Sequence, residues 1–131
     1  MGITDYPRLC PCGTGSNFSA CCGRLLSGAV QARTAEELMR SRYSAYALGN
    51  LDHVFRTWHP KTRPHDVSPI PDTTFAGLEI LDIVAGGPDD DIGVVEFRAR
   101  LRGPDGLAEL HERSRFSKRA GRWMYVDGSI T

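Results

Sequence analysis

The chain has 131 residues and a formal net charge of zero, with sixteen Lys and Arg residues balanced by sixteen Asp and Glu residues. Hydrophobic residues make up 40% and charged residues 24% of the sequence, which is typical of a folded globular protein and excludes an intrinsically disordered one. No apolar run approaches the roughly 18 residues that span a bilayer, so we expect no membrane association. A zero net charge also gives no general attraction to nucleic acid.

The four cysteines of the chain all lie near the N-terminus, at Cys10, Cys12, Cys21 and Cys22. Four thiolates can form the closed tetrahedral shell that zinc prefers in structural sites. Gly13 and Gly15 provide the backbone freedom that a chain needs to turn around an ion. We therefore predict one structural Zn²⁺ per chain. Catalytic zinc is not expected, because it keeps one coordination position open for water.

Two disulfides are the alternative to a metal site. Pairing Cys10 with Cys12 and Cys21 with Cys22 would strain normal disulfide geometry, whereas the crossed pairings are feasible in an oxidising compartment. The first eight residues, MGITDYPR, contain no apolar stretch that resembles a signal peptide. This predicts a cytoplasmic protein with reduced thiols, and clustered reduced thiols favour metal.

A helix is predicted after residues 24–33, which are typical of a linker or a short helical turn. Thr34-Ala-Glu-Glu37 has the pattern of a capping box, in which the hydroxyl and the carboxylate accept hydrogen bonds from free backbone N–H groups. Apolar residues follow at helical spacing as far as Leu48, and Gly49 is the expected left-handed stop.

A second helix is predicted to begin after Asn50, whose side chain can cap it. Leu51, Val54, Phe55 and Trp58 recur at the spacing of one helical face, and Pro60 ends the segment. His59 is then a C-terminal helix residue, a position where the helix dipole favours histidine. Residues 60–75 are predicted to form an irregular loop.

From residue 78 onwards the hydrophobic period changes to two, which indicates strands. We predict strands over residues 78–84, 92–102, 107–118 and 122–127, joined by glycine-containing turns. Helices followed by an antiparallel meander give an α+β fold.

The charges in the strand region are unevenly distributed. Residues 72–91 carry six acids and no base, and residues 92–122 carry eight bases against four acids. Because side chains alternate along a strand, each series occupies one face. A solvated sheet face is the favoured interpretation, and an anionic partner is the alternative.

The cysteine segment, CPCGTGSNFSACCG, closely resembles the SEC-C zinc motif, in which Cys-x-Cys is followed after eight residues by Cys-Cys or Cys-His. The rest of the chain resembles the YchJ-like (UPF0225) family, whose members join a SEC-C motif to an NTF2-like domain. The segments that carry this resemblance are LMRSRYSAYAL (38–48), TWHPKTR (57–63), ERSRF (112–116) and GRWMYVDG (121–128).

The resemblance implies a SEC-C motif over residues 1–29 and an NTF2-like domain over residues 30–131, in which helices cover a curved sheet to form a cone with an internal pocket. Related SEC-C modules are associated with binding other proteins, and NTF2-like sheets often dimerise, so a protein partner and a homodimer are both considered. The resemblance implies no reaction.

Glu112 is the residue that could give the pocket a function. Its strand neighbours Leu110 and Phe116 suggest that it points inward, where a carboxylate needs a partner. Arg40, Arg42, Tyr43 and His59 are the candidate partners, and the candidate pocket residues are Arg42, Tyr43, Trp58, His59, Glu112 and Trp123. A structural tie between helix and sheet is the simpler interpretation of Glu112.

We therefore expect a non-catalytic binding module of the bacterial, cytoplasmic type, in which the zinc-bound segment presents a surface to another protein. The alternative is a small-molecule binder or enzyme that uses the pocket around Glu112. A third hypothesis, nucleic-acid contact through the face carrying Arg98, Arg100 and Arg102, is weakened by the zero net charge.

Overall fold

The computed structural model describes residues 9–131. It has the predicted α+β architecture, with helices packed on a four-stranded antiparallel sheet and preceded by the cysteine segment. A 3₁₀ turn (Phe18–Ala20) and three helices come first: α1 (Cys22–Leu26), α2 (Ala35–Leu48) and α3 (Leu51–Arg56). The strands follow as β1 (Thr74–Ala85), β2 (Ile92–Gly103), β3 (Gly106–Arg119) and β4 (Arg122–Ile130). None of the helices in the described range is long and apolar enough to cross a membrane.

Both predicted ends of helix α2 are confirmed. The Thr34 hydroxyl accepts a hydrogen bond from the Glu37 N–H at 3.0 Å, and the Glu37 carboxylate accepts one from the backbone N–H of Arg33 at 2.7 Å. Gly49 follows the helix at φ 78°, a left-handed conformation in which glycine carries no Cβ penalty. These local signals position α2 across the sheet.

The second helix is shorter than predicted. Asn50 caps α3 as expected, but the helix ends at Arg56, and Trp58 and His59 lie beyond it. The backbone of residues 57–59 pairs instead with β4: Tyr125 N–H donates to Thr57 O and His59 N–H donates to Tyr125 O, both at 2.8 Å. The assignment of Trp58 and His59 to a helix was therefore wrong, because pairing with a distant strand replaces the last helical hydrogen bonds.

The sheet has the order β1-β2-β3-β4 with every neighbouring pair antiparallel, as the meander predicted. β1 begins earlier and β4 ends later than their sequence patterns indicated. Both strands contain or face register irregularities, between Phe75 and Gly77, between Ile80 and Asp82, and opposite Arg115 and Phe116. Such bulges interrupt a strict period of two, so the alternation covers only part of each strand.

The two faces of the sheet differ in character. Val95, Phe97, Ala99 and Phe116 are buried on the inner face under the helices. The outer face carries cross-strand ion pairs, among them Arg98–Glu79 at 2.9 Å and Arg113–Asp82 at 2.9 Å. Two acids of the acidic series, Glu79 and Asp82, are thus paired with arginines of the basic series on a solvated face.

The cysteine segment and the helices over the sheet share one hydrophobic core. Cys10, Cys12 and Cys22 belong to the same buried cluster as Leu38 of α2 and Val95 of β2. The division at residues 1–29 and 30–131 stays a prediction, and residues 1–8, from which the lack of a signal peptide was inferred, lie outside the described residues.

Candidate functional site

The four cysteine sulfurs converge although they come from two separate turns. All four are free thiols, and their Sγ atoms lie within 4.8 Å of one another. The Sγ atoms of Cys12 and Cys21 are 3.7 Å apart, which matches the edge of about 3.8 Å that Zn–S bonds of about 2.3 Å give in a tetrahedron. The cluster could therefore hold one metal ion, and its sulfur donor set fits zinc.

Short local contacts shape the loop between the two cysteine pairs. Cys10 N–H donates to Ser16 O at 2.8 Å, and Cys21 N–H donates to Phe18 O at 3.0 Å. Gly13 and Gly15 adopt φ values of 85° and 86°. Both glycines therefore form the turns expected from the sequence, in a left-handed conformation that favours glycine.

Groups around the sulfurs shift the pKa values of the thiols in opposite directions. The side-chain hydrogen bond with Cys22 is the largest cause that lowers the pKa of Cys12 to about 4, and Thr14 adds to it. The same hydrogen bond raises the pKa of Cys22, and burial raises that of Cys21. Four thiolates in one buried cluster repel each other, and a bound cation removes that conflict, which is why such clusters take metals.

Helix α2 supplies further contacts to the cluster. The Ser44 hydroxyl lies 3.5 Å from the Cys10 sulfur, and the Arg40 guanidinium donates to the Cys12 carbonyl oxygen at 2.6 Å. Arg40 is held in turn by Glu36 at 2.9 Å. The helix thus orients the backbone and the sulfur of the first cysteine pair.

A second candidate site is a cavity of about 290 Å³ between α2 and the inner face of the sheet. Four of the candidate pocket residues line it: Arg42, Tyr43, Trp58 and Glu112. His59 and Trp123 do not line this cavity. The Trp123 indole N–H donates to Arg33 O at 3.1 Å on another side of the helices, and the His59 ring accepts from Lys61 N–H at 3.1 Å.

Glu112 has different partners from those proposed. Its Oε2 accepts hydrogen bonds from the Ser114 hydroxyl at 2.6 Å and from the Tyr125 hydroxyl at 2.9 Å. None of the candidate partners Arg40, Arg42, Tyr43 and His59 forms a hydrogen bond with Glu112 within residues 9–131. Arg42 interacts with the carboxylate only electrostatically. Sequence spacing placed Ser114 beside Glu112 on the strand, but only the pairing of β3 with β4 brings Tyr125 to the carboxylate.

Arg42 enters the cavity as a buried cation. Its Nη1 donates to Val54 O and to Thr57 Oγ1, both at 2.8 Å, and burial lowers its pKa to about 10. The guanidinium carbon lies 5.0 Å from the Trp58 ring centroid and 4.5 Å from that of Tyr125. Arg42 is therefore charged at neutral pH and is held by carbonyl, hydroxyl and aromatic groups.

Two protein-family models match this chain. Residues 34–128 match the family model described as YchJ, middle NTF2-like domain, and residues 9–24 match the SEC-C motif. The chain belongs to the UPF0225, or YchJ-like, family. The resemblance drawn from the quoted segments is thus confirmed over most of the chain.

Bacterial UPF0225 proteins match at high identity. A member from Streptomyces coelicolor is 47% identical over 121 residues, covering 92% of this chain and 94% of that protein. A member from Bordetella parapertussis is 48% identical over 127 residues, covering 95% and 94%. Both matches therefore span the cysteine segment and the NTF2-like domain of this chain.

Two solved structures of SEC-C motif containing proteins have the same fold. The solution structure from Rhodopseudomonas palustris has a TM-score of 0.84 and 38% identity, covering 94% of this chain and 98% of that one. The crystal structure from Psychrobacter arcticus has a TM-score of 0.73 and 26% identity, covering 95% and 83%. The fold that these structures share with this chain thus covers the cysteine segment and the sheet together.

Proposed function

We propose that this UPF0225 protein is a non-catalytic binding module that takes a small organic molecule into the cavity beneath α2, and that a zinc ion in the cysteine cluster has a structural role. The observation that carries the proposal is the cavity itself. Its walls are aromatic, and one cation and one carboxylate, Arg42 and Glu112, reach it. Apolar walls with a few polar groups are typical of ligand pockets.

Binding is favoured over catalysis by the state of the carboxylate. Glu112 is the only carboxylate that lines the cavity among the described residues, and it already accepts two hydrogen bonds from hydroxyl groups. General acid–base chemistry usually requires groups with matched pKa values that face a substrate. A single hydrogen-bonded carboxylate is better suited to anchor a ligand.

The cavity is tested by ligand-induced stabilisation with a matched control. Ala99 lies on the inner wall and is 2% exposed, so Ala99→Leu places three more carbon atoms in the cavity. Small aromatic compounds should raise the melting temperature of the wild type and leave that of Ala99→Leu unchanged. An equal response of both proteins, or no response from the wild type, contradicts the proposal.

A structural zinc ion is supported by the burial of its candidate ligands. Cys10, Cys12 and Cys22 are at most 4% exposed, and no water-filled approach is needed for an ion that carries out no chemistry. Native mass spectrometry of protein purified without added metal should show one zinc ion per chain. Two disulfides without metal would contradict the zinc assignment and the cytoplasmic location together.

A protein partner of the cysteine segment is the second candidate function. It is supported by the loop over residues 13–17, where every residue is exposed although the neighbouring cysteines are buried. A photo-crosslinking amino acid at Ser16 should form adducts with a partner, and one at Asp105, in the β2–β3 turn, should not. An adduct between two copies at Ser16 would instead support the homodimer, and equal labelling at both positions contradicts a specific surface.

A further inference from the structure

The Arg42 side chain is a buried cation that forms no direct ion pair within residues 9–131, although the Glu112 carboxylate in the same cavity lining attracts it electrostatically. The residue is 6% exposed, and its hydrogen bonds within residues 9–131 all leave from Nη1, to Val54 O and Thr57 Oγ1. No carboxylate in that part of the chain forms an ion pair with it. Burying a charge without an ionic partner is costly, and proteins normally pair it. The guanidinium therefore has hydrogen-bonding capacity that residues 9–131 leave unused.

Trp58 adds a second donor without an acceptor. It lines the same cavity as Arg42, and its indole Nε1–H is buried and has no hydrogen-bond partner among the described residues. The Arg42 guanidinium carbon lies 5.0 Å from the centroid of the Trp58 ring, so the indole borders the cation. The cation–π contact offsets part of the cost of burying Arg42, but it provides no acceptor for either N–H group.

We infer that the cavity binds a small organic acid with one carboxylate and an apolar, ring-sized body, with the carboxylate on Arg42. The inference rests on the proposed function and names the class of ligand for the same cavity. A carboxylate matches the planar guanidinium fork and can accept further hydrogen bonds. It would provide the acceptor that Arg42 and Trp58 lack.

The rest of the lining fits the apolar body of such an acid. The cavity volume of about 290 Å³ lies at the small end of the usual range for ligand sites, which suits a single ring with a short side chain. The side chains that form its aromatic walls are Tyr43, Tyr46, Phe75, Phe97, Phe116 and Tyr125.

Glu112 restricts the number of negative charges on the ligand. Its carboxylate lines the same cavity, where the low dielectric strengthens repulsion between like charges. Arg42 compensates the charge of the one carboxylate that it binds, whereas a second anionic group on the ligand would be repelled by Glu112 without such compensation. Compounds with one carboxylate are therefore favoured over dicarboxylates and over doubly charged phosphates.

The test compares ring acids with their uncharged amides on the wild-type protein. Benzoate, phenylacetate and 3-phenylpropanoate are titrated by calorimetry beside benzamide, phenylacetamide and 3-phenylpropanamide, which have the same shapes and no charge. At least one acid should bind about tenfold or more tightly than its amide, because a hydrogen bond to a charged group is stronger than a neutral one. Amides that bind as tightly as the acids would overturn the inference and leave the proposed function standing. If no member of either series binds, both fail.

Variants then assign the preference to Arg42. Arg42→Gln should remove the preference for the acid, and Arg42→Lys should keep it, because lysine retains the charge. Arg102→Gln, on an exposed strand position, is the matched control and should behave as the wild type. If the Arg42 variants do not fold, Trp58→Phe removes one donor without changing the charge. It should weaken the acid more than the amide, and equal weakening of both contradicts the assignment.

Discussion

The hydroxyl oxygen of Ser44, in the middle of helix α2, lies 3.5 Å from the sulfur of Cys10, and both residues are buried. This contact joins the cysteine cluster to the helix that also lines the cavity. On α2, Ser44 and Arg40 contact the cluster, and Arg42 and Tyr43 line the cavity. A single helix therefore supports both candidate sites.

Removal of the Ser44 hydroxyl should weaken metal binding. A hydrogen bond to a coordinating sulfur orients the ligand and stabilises its negative charge, so we expect Ser44→Ala to lower zinc affinity about 10- to 100-fold. Competition with a chromophoric chelator measures the change. Ser19→Ala, at an exposed position of the 3₁₀ turn, is the control. Unchanged affinity in Ser44→Ala would show that the contact has no role in metal binding.

Chelation of the metal should destabilise the whole domain rather than its N-terminal end alone. Three of the cysteines share a core with Leu38 and Trp123, so loss of the ion leaves buried thiols without their common ligand. A chelator should lower the melting temperature recorded by tryptophan fluorescence. An unchanged transition would indicate that the cysteine segment folds independently and would support the boundary at residue 30.

His53 should make stability depend on pH below neutrality. Burial is the main cause that lowers its pKa from 6.5 to about 4, and its Nε2 lies 2.9 Å from the Ser41 hydroxyl. The pKa of His53 is lower in the folded state than in the unfolded state. Its contribution to the free energy of unfolding is therefore complete above pH 6.5 and is lost as the pH falls towards 4. Between pH 7 and pH 5, the free energy of unfolding should fall by about 2 kcal/mol because of His53.

Urea unfolding at both pH values measures this loss in the wild type and in His53→Gln. The cysteine cluster responds to acid in both proteins, so the difference between them isolates the histidine. We expect a smaller loss of unfolding free energy on acidification in His53→Gln. Equal losses would show that other groups cause the pH dependence.

Because Gly128 has no side chain, the Glu112 carboxylate can occupy the space beside its Cα atom. A Cβ atom at this position would overlap the carboxylate, which Ser114 and Tyr125 hold in place. Gly128→Ala should therefore destabilise the protein by about 1–3 kcal/mol, the usual cost of overpacking. The cost should largely disappear in a Glu112→Ala background, as a double-mutant cycle by urea unfolding can show. Ser129→Ala serves as control, and a cost that persists without the Glu112 side chain contradicts this explanation.

Nucleic acid should not bind through the outer face of the sheet. Arg98 and Arg100 are paired there with acids of neighbouring strands, so that Arg102 is the one arginine of this row without an ion pair among residues 9–131. Single-stranded RNA should show no retention at physiological salt in a filter-binding assay. Retention that decreases steeply with salt would contradict this expectation, because it is the signature of phosphate contacts.

Much of the fold could be predicted because its signals are local. The spacing of Cys10, Cys12, Cys21 and Cys22 requires only one short loop to bring the sulfurs together, and Gly13 and Gly15 make its turns. The caps of α2 at Thr34 and Gly49 depend on residues within one turn of the helix. Alternation along β2 predicted the strand over residues 92–102, and it is regular because that strand pairs without a bulge along its contact with β3.

What the sequence alone determined, then, is the cysteine cluster, the class of fold and the period of two along the strands. The tertiary structure decided the cavity. Trp58 leaves its predicted helix because residues 57–59 pair with β4, and this pairing brings Trp58 and Tyr125 together beside Arg42. The pairing of β3 with β4 brings Tyr125 to Glu112. Trp123, on the same strand as Tyr125, lies outside the cavity. The contacts of Tyr125 with residues 57–59 and with Arg42 join residues more than sixty positions apart. No local propensity or hydrophobic period shows which distant backbone groups will pair with each other.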